Sequence, residues 1–220
     1  MRSVSFALAL SLAISAACFA QDATPAPVPA PAAEPAPAPQ PDPLASGPGL
    51  YATFDTSLGQ IVVRLLEDKT PKTVQNFVAL VNGTKASADA EAKHMVKKRF
   101  YDNMIFHRVV KGFMIQTGDV KGTGSSNCGV DPIPDEFDPT LKFDVPGRLA
   151  MANLGRPTTA ACQVFITVGA APWLNGTFTI FGVVASGQDI ADKIANVPAE
   201  GQRPVTPIAL NKVTIERRDH

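Results

Sequence analysis

The chain has 220 residues, with 20 lysine and arginine residues balanced by 20 aspartate and glutamate residues, so its formal net charge at pH 7 is zero. Because there is no basic excess, the composition argues against nucleic acid or an anionic membrane surface as the partner.

The first twenty residues have the pattern of an export signal. Arg2 precedes an apolar run at 4–14, and small residues continue to Ala20. This predicts a signal peptide over residues 1–20 and an exported protein, either periplasmic or secreted. The run is shorter than the ~20 apolar residues of a membrane span, so no transmembrane segment is predicted. A lipid-anchored start at Cys18 is the alternative, because small residues precede it, although the usual leucine is missing.

Residues 21–49 differ in composition from everything that follows. Ten of the 20 prolines of the chain fall here, mostly alternating with alanine. Proline fixes φ and removes a backbone donor, and the segment has little apolar bulk to bury. We therefore expect a semi-rigid, solvated linker. The folded domain is predicted over residues 50–220, which is long enough for a substantial core.

The domain begins with a predicted hairpin and helix. Apolar runs at 51–56 and 60–66 flank a turn at 57–59, which is typical of a β-hairpin. A helix then starts with Thr70 as the N-cap and Pro71 at its first position, and it ends at Asn82-Gly83. Apolar residues within it follow the helical period and form one stripe. Residues 84–99 are rich in alanine and lysine and predict a solvated surface insertion, with a short helix as one reading.

The segment Phe106–Asp119 contains a second hairpin. Gly112 lies at the centre of a three-residue connection between two partly apolar runs. With residues 111–113 as the loop, Val110 faces Met114 and Arg108 faces Gln116, all on one face. That face combines a fixed cation, an amide that can orient it and apolar surface. It suits binding and polarising a neutral amide better than hydrolysing one.

The rest of the chain predicts short strands at 147–153, 163–168, 178–184 and 211–217, with a helix at 188–197. Many short strands separated by turns favour a closed antiparallel barrel. Asp135, Glu136 and Asp138 form an acidic cluster, but nearby prolines break the segment into turns. We expect solvated turn residues there rather than a metal site.

The motifs Phe106-His-Arg and Gly112-Phe-Met-x-Gln resemble the signature of the cyclophilins, the peptidyl-prolyl cis-trans isomerases that cyclosporin inhibits. The resemblance extends from about Tyr51 to the C-terminus. It implies a mainly β fold, a closed eight-stranded antiparallel β-barrel capped by two α-helices. It also implies a non-covalent reaction without cofactor or metal, in which Arg108 stabilises the twisted amide and Gln116 orients the guanidinium.

The resemblance also assigns the substrate-binding residues, which are Phe113, Met114, Ala152, Asn153, Gln163, Phe165, Trp173, Leu174 and Phe178. Among them, Phe113 and Met114 form part of the proline-ring pocket, and Trp173 favours cyclosporin binding. Phe178 stands where many members have His or Tyr, which leaves the preference for the residue before proline open. His107 has the opposite side-chain parity from Arg108 and is interpreted as structural.

Cys128 and Cys162 remain after cleavage at Ala20. Because the corresponding segments run close together in cyclophilins, the resemblance predicts a disulfide between them, with two free thiols as the alternative.

The expected partners are unfolded or extended polypeptides that contain proline, with cyclosporin as an inhibitor, and the protein is expected to be a monomer. The leading functional hypothesis is an isomerase that accelerates the folding of exported proteins. The alternative is a chaperone or adaptor that binds proline segments on the same scaffold with little turnover.

Overall fold

The computed structural model describes residues 42–88, 94–125 and 128–219. The predicted signal peptide, Cys18 and most of the predicted linker lie outside these residues. Within them are the helices α1 (Pro71–Val81) and α2 (Gln188–Ala195) and two 3-10 helices, Pro43–Ala45 and Pro172–Leu174. The strands are β1 (Gly49–Thr56), β2 (Gly59–Leu65), β3 (Met104–Ile105), β4 (Arg108–Val110), β5 (Met114–Thr117), β6 (Arg148–Met151), β7 (Val164–Thr167), β8 (Ile180–Ser186), β9 (Ala199–Glu200), β10 (Arg203–Pro204) and β11 (Ala209–Arg218). No helix in the described ranges is both long and apolar enough to cross a bilayer.

Nine strands form one antiparallel sheet in the order β3-β11-β1-β2-β8-β6-β7-β5-β4. The mainly β class with two helices is as predicted, but the closed eight-stranded barrel is wrong. The sheet is a strongly curled half-barrel whose end strands, β3 and β4, do not pair with each other in the described structure. Instead, the free edge of β4 bonds to the turn between β9 and β10, with Val109 N donating to Gln202 O at 2.7 Å. A short separate hairpin thus covers the free edge of β4.

The concave side of the sheet is filled by aromatic residues and by the apolar face of α1. Phe77 of α1 is fully buried, and its ring lies 5.1 Å from Tyr101, 5.2 Å from Phe181 and 6.0 Å from Phe54 between centroids. A second buried cluster, which includes Met114 and Phe165, lies under the predicted site. The β4–β5 hairpin, which carries the predicted site, therefore packs on buried side chains.

The N-terminus of α1 is capped from a distance. Thr70 occupies the N-cap position as predicted, but its hydroxyl donates to Leu66 O and makes no capping bond. The carboxylate of Glu136 accepts from Lys72 N at 3.1 Å and from Thr73 N at 2.7 Å. A carboxylate suits this place, because the first N–H groups of a helix are unpaired and the helix dipole is positive there.

The neighbouring acidic residues also have protein partners. Asp135 accepts from Thr158 N at 2.8 Å, and Asp138 pairs with Lys69 at 3.1 Å. Among the described residues, no group of His, Cys, Asp and Glu is arranged to hold a metal ion. The three carboxylates therefore hold turns and a helix end in place.

Two predicted surface segments pack more closely than expected. At the end of the predicted linker, Asp42 forms an ion pair with Arg148 at 2.6 Å, and Leu44 O accepts from Arg64. The packed domain therefore begins upstream of residue 50. The described parts of the 84–99 insertion form an antiparallel bridge between Ser87 and Val96 rather than a helix.

Candidate active site

The predicted hairpin is confirmed residue by residue. In the β4–β5 pair, Arg108 lies opposite Gln116 and Val110 opposite Met114. Gly112 has φ +70° in the connecting turn, a conformation that a residue with a side chain rarely adopts. The turn is also closely packed, because a Cβ on Gly169 would meet Gly112 O at 2.1 Å. The turn at Gly112 and the alternation on either side of it set the register that places Arg108 beside Gln116.

Two glutamine side chains hold the guanidinium of Arg108. Its Nη1 donates to Gln116 Oε1 at 3.1 Å, and its Nε donates to Gln202 Oε1 at 2.5 Å. Gln116 is in turn held by Gln163, since Gln116 Nε2 donates to Gln163 Oε1 at 2.8 Å. Partial burial lowers the pKa of Arg108, but an arginine starts so high that it stays charged near pH 7. The result is an oriented cation whose bonded partners in the described structure are neutral amides.

A cavity of about 170 Å³ opens beside this cation. Its lining residues are Arg108, Phe113, Met114, Gln116, Ala152, Asn153, Phe165, Leu174 and Phe178. Met114 and Phe165 are nearly inaccessible, and Phe178 meets the Phe165 ring edge-on with centroids 5.6 Å apart. The walls are therefore apolar and well packed, while one rim is positively charged.

The structure brings nine of the eleven predicted catalytic and substrate-binding residues to this cavity. Gln163 lies behind it, where its side-chain oxygen supports Gln116. Trp173 is 66% exposed and stands next to the cavity, with its ring 5.6 Å from that of Phe113. A larger cavity of about 240 Å³ shares Phe178 but is lined mainly by residues 136–143, and Arg108 is not among its walls.

In the described part of the chain, Asn153 has a free main chain at the cavity, whereas its side chain is used in hydrogen bonds within the protein. Its Nδ2 donates to Thr177 O at 2.9 Å, and its Oδ1 accepts from Gly155 N at 2.9 Å. The side chain thereby fixes the loop after β6. Within the described residues, the N–H and C=O groups of Asn153 have no backbone partner, which leaves an edge that an extended peptide could pair with.

His107 is buried, with 5% of its surface exposed, on the face opposite Arg108. Burial lowers its pKa more strongly than the neighbouring Asp119 carboxylate raises it. The imidazole is therefore neutral near pH 7. It does not line the cavity.

Cys128 and Cys162 form a disulfide, with sulfur atoms 2.12 Å apart and Cα atoms 6.5 Å apart. Cys162 immediately precedes Gln163. The same segment is also held by Tyr101, whose hydroxyl donates to Cys162 O at 2.7 Å. The bridge and this bond both anchor the start of β7, which carries Phe165 into the cavity.

Sequence reasoning missed Gln202. No element was predicted between 197 and 211, because the segment Ala199–Pro204 shows no apolar alternation. Gly201 and the prolines at 198 and 204 were the local indications of a turn, and Gly201 adopts φ +62° in the structure. Nothing in the sequence indicated that this turn would meet a residue 94 positions earlier.

Comparison with known proteins gives a consistent result. The family model described as cyclophilin type peptidyl-prolyl cis-trans isomerase/CLD matches residues 51–215. Peptidyl-prolyl cis-trans isomerase B of Streptomyces anulatus is 43% identical over 173 residues, covering 77% of this chain and 98% of the relative. Probable peptidyl-prolyl cis-trans isomerase A of Mycobacterium leprae is 46% identical over 167 residues, covering 74% and 91%.

Solved structures agree. The crystal structure of a Cryptosporidium parvum cyclophilin type peptidyl-prolyl cis-trans isomerase superposes with a TM-score of 0.65 at 32% identity, covering 76% of this chain and 96% of that one. The same protein in the presence of the dipeptide Ala-Pro gives a TM-score of 0.64 at 31% identity, covering 76% and 98%.

Proposed function

This chain belongs to the cyclophilin-type peptidyl-prolyl cis-trans isomerases, and we propose that Arg108 carries its catalysis by stabilising the twisted X-Pro amide. The observation that supports this most directly is the oriented, amide-bonded guanidinium at the rim of an apolar cavity. The cavity offers apolar walls for a proline ring, and with the ring seated there we expect the prolyl nitrogen to come next to the cation at the rim.

The chemistry follows from the electronic structure of the amide. Resonance gives the C–N bond partial double-bond character, and the barrier to rotation is ~18–20 kcal/mol. Uncatalysed isomerisation takes about 10–100 s. At the twisted midpoint the nitrogen lone pair is localised, so a nearby cation favours that state over both planar forms. No covalent bond between substrate and protein is made or broken.

The substrate fits the site as an extended segment. The proline ring enters among Met114, Phe165, Leu174 and Phe178, and the free backbone edge of Asn153 pairs with the peptide. The Ala-Pro dipeptide named with the solved relative suggests a simple probe for this chain.

The test is the rate of isomerisation of a short proline peptide by Arg108→Ala. We expect a loss of at least ten-fold in kcat/KM, which corresponds to about 1.4 kcal/mol of transition-state stabilisation. Arg108→Lys separates charge from geometry, because lysine keeps the charge but loses the planar fork of donors. Arg217→Ala is the matched control, since Arg217 is an exposed arginine paired with Glu67. Full turnover in folded Arg108→Ala would remove the proposed role.

We also propose that the natural substrates are exported proteins during folding. The signal-peptide pattern supports export, and a disulfide is typical of oxidising compartments. Mass spectrometry of protein recovered from its native host would show a mature chain beginning at Gln21. An acylated chain beginning at Cys18 would establish the lipid-anchored alternative, and an uncleaved N-terminus would reject both.

Cyclosporin inhibition is part of the same proposal. Trp173 is exposed beside Phe113, where it could contact a bulky cyclic peptide. Titration should inhibit the wild type, and Trp173→Ala should weaken inhibition more than it weakens turnover. A wild type that keeps its full rate at high cyclosporin concentration would contradict this part alone.

A further inference from the structure

We propose that Gln202 is a positioning residue for Arg108, an inference that rests on the proposed catalytic role of that arginine. Gln202 is exposed and is not among the residues that line the cavity. Its contact with the site is the bond from Arg108 Nε to Gln202 Oε1, at 2.5 Å.

The backbone holds Gln202 in place for this contact. Its carbonyl accepts from Val109 N at 2.7 Å, next to Arg108 on β4. Gly201 makes the turn, and Glu200 pairs with Arg203 across β9 and β10. The Arg203 side chain donates to Gly122 O at 2.5 Å. The hairpin is therefore attached to the domain on two sides, and its tip is fixed at the free edge of β4.

The two hydrogen bonds of Arg108 fix the orientation of its guanidinium, which one bond alone would not do. A single bond from Nη1 to Gln116 leaves the guanidinium plane free to turn about that contact. The second bond, at the Nε that joins the group to its stem, removes this freedom. Misplacement of a catalytic group by a fraction of an ångström is enough to lower a rate, because stabilisation depends on alignment with the transition state.

The amide also preserves the charge. A carboxylate at position 202 would bind the guanidinium more tightly but would offset its positive potential at the cavity. A glutamine oxygen orients the cation and adds no net charge. The hairpin that covers the free edge of β4 thereby also supplies the second hydrogen bond to Arg108.

The experiment is a double-mutant cycle between Arg108→Ala and Gln202→Ala, with isomerisation of a proline peptide measured by exchange NMR over a range of substrate concentrations. Gln202→Ala should lower kcat about three- to ten-fold, the size expected for losing one ordinary hydrogen bond, because this contact is exposed to solvent. KM should stay nearly unchanged, because the cavity walls are intact. In the Arg108→Ala background, Gln202→Ala should cause no further loss.

Two further variants separate the hydrogen bond from the packing of the loop. Gln202→Met keeps the length of the side chain and removes its acceptor, so it should lose as much kcat as Gln202→Ala. Val205→Ala changes a 58% exposed residue beyond the same hairpin and should keep the wild-type rate. Full kcat in either Gln202 variant, or an equal additional loss in the Arg108→Ala background, would overturn the inference. An unaffected Arg108→Ala would instead refute the proposed function on which it rests.

Discussion

Loss of the Cys128–Cys162 disulfide should destabilise the domain strongly. The bridge closes a loop with a sequence separation of 34, and both cysteines are almost fully buried. In the chain-entropy model, a closed loop of this length restricts the unfolded state by about 4 kcal/mol at 25 °C. For a domain of this size, that corresponds to a fall in Tm of roughly 10 °C.

The assay is thermal unfolding followed by far-UV circular dichroism, with and without reductant. Alkylation and mass measurement confirm that both thiols are free in the reduced sample. The double variant Cys128→Ala/Cys162→Ala is the matched control, because it should unfold early and ignore the reductant. A reduced wild type that melts at the oxidised midpoint, with both thiols alkylated, would refute the entropic argument.

Reduction of the disulfide should lower the isomerase activity much less than it lowers the stability. The segment before Gln163 keeps two other anchors, since Tyr101 donates to Cys162 O and Asn76 donates to Ala161 O. Below the unfolding transition, reduced protein should therefore isomerise a proline peptide at close to the oxidised rate. A large loss under those conditions would show that the bridge itself holds the site.

Two further predictions concern stability. The pKa of His107 is lower in the folded protein than in the unfolded chain. As the pH falls, the unfolded chain therefore binds a proton at His107 near pH ~6.5, whereas the folded protein binds it only at a lower pH. The contribution of His107 to stability should thus be fully present above that pH and be lost as the pH drops towards the folded pKa. In urea unfolding between about pH 7.5 and 5.5, the midpoint should fall less steeply in His107→Gln than in the wild type. An unchanged slope would contradict the assignment. Glu136→Ala should cost about 1 kcal/mol in urea unfolding by uncapping α1. Glu67→Ala, which breaks an exposed ion pair with Arg217, is the control and should cost much less; equal effects would argue against the cap.

Local features of the chain were predictable where the determining contacts are close in sequence. The register of Arg108 with Gln116 follows from Gly112 and the alternation around it, and the structure has the same register. The beginning of α1 at Pro71 and its end at Asn82 followed from residue types at the two ends. The role of Arg108 and the wider set of cavity residues came from the family resemblance, because those residues are scattered between positions 108 and 178.

The sequence by itself determined which residues alternate, turn and start helices, since these preferences are set within a few residues of chain. Only the tertiary structure decided which edges meet. In the folded chain, as far as the structure describes it, β3 and β4 do not pair with each other, and the turn at Gln202 contacts Arg108. Glu136 caps a helix whose N–H groups lie 63 and 64 positions earlier in the chain. Such contacts depend on the curvature of the twisted sheet and on the need of buried polar groups for a hydrogen-bond partner. Neither is encoded in a pattern of a few neighbouring residues.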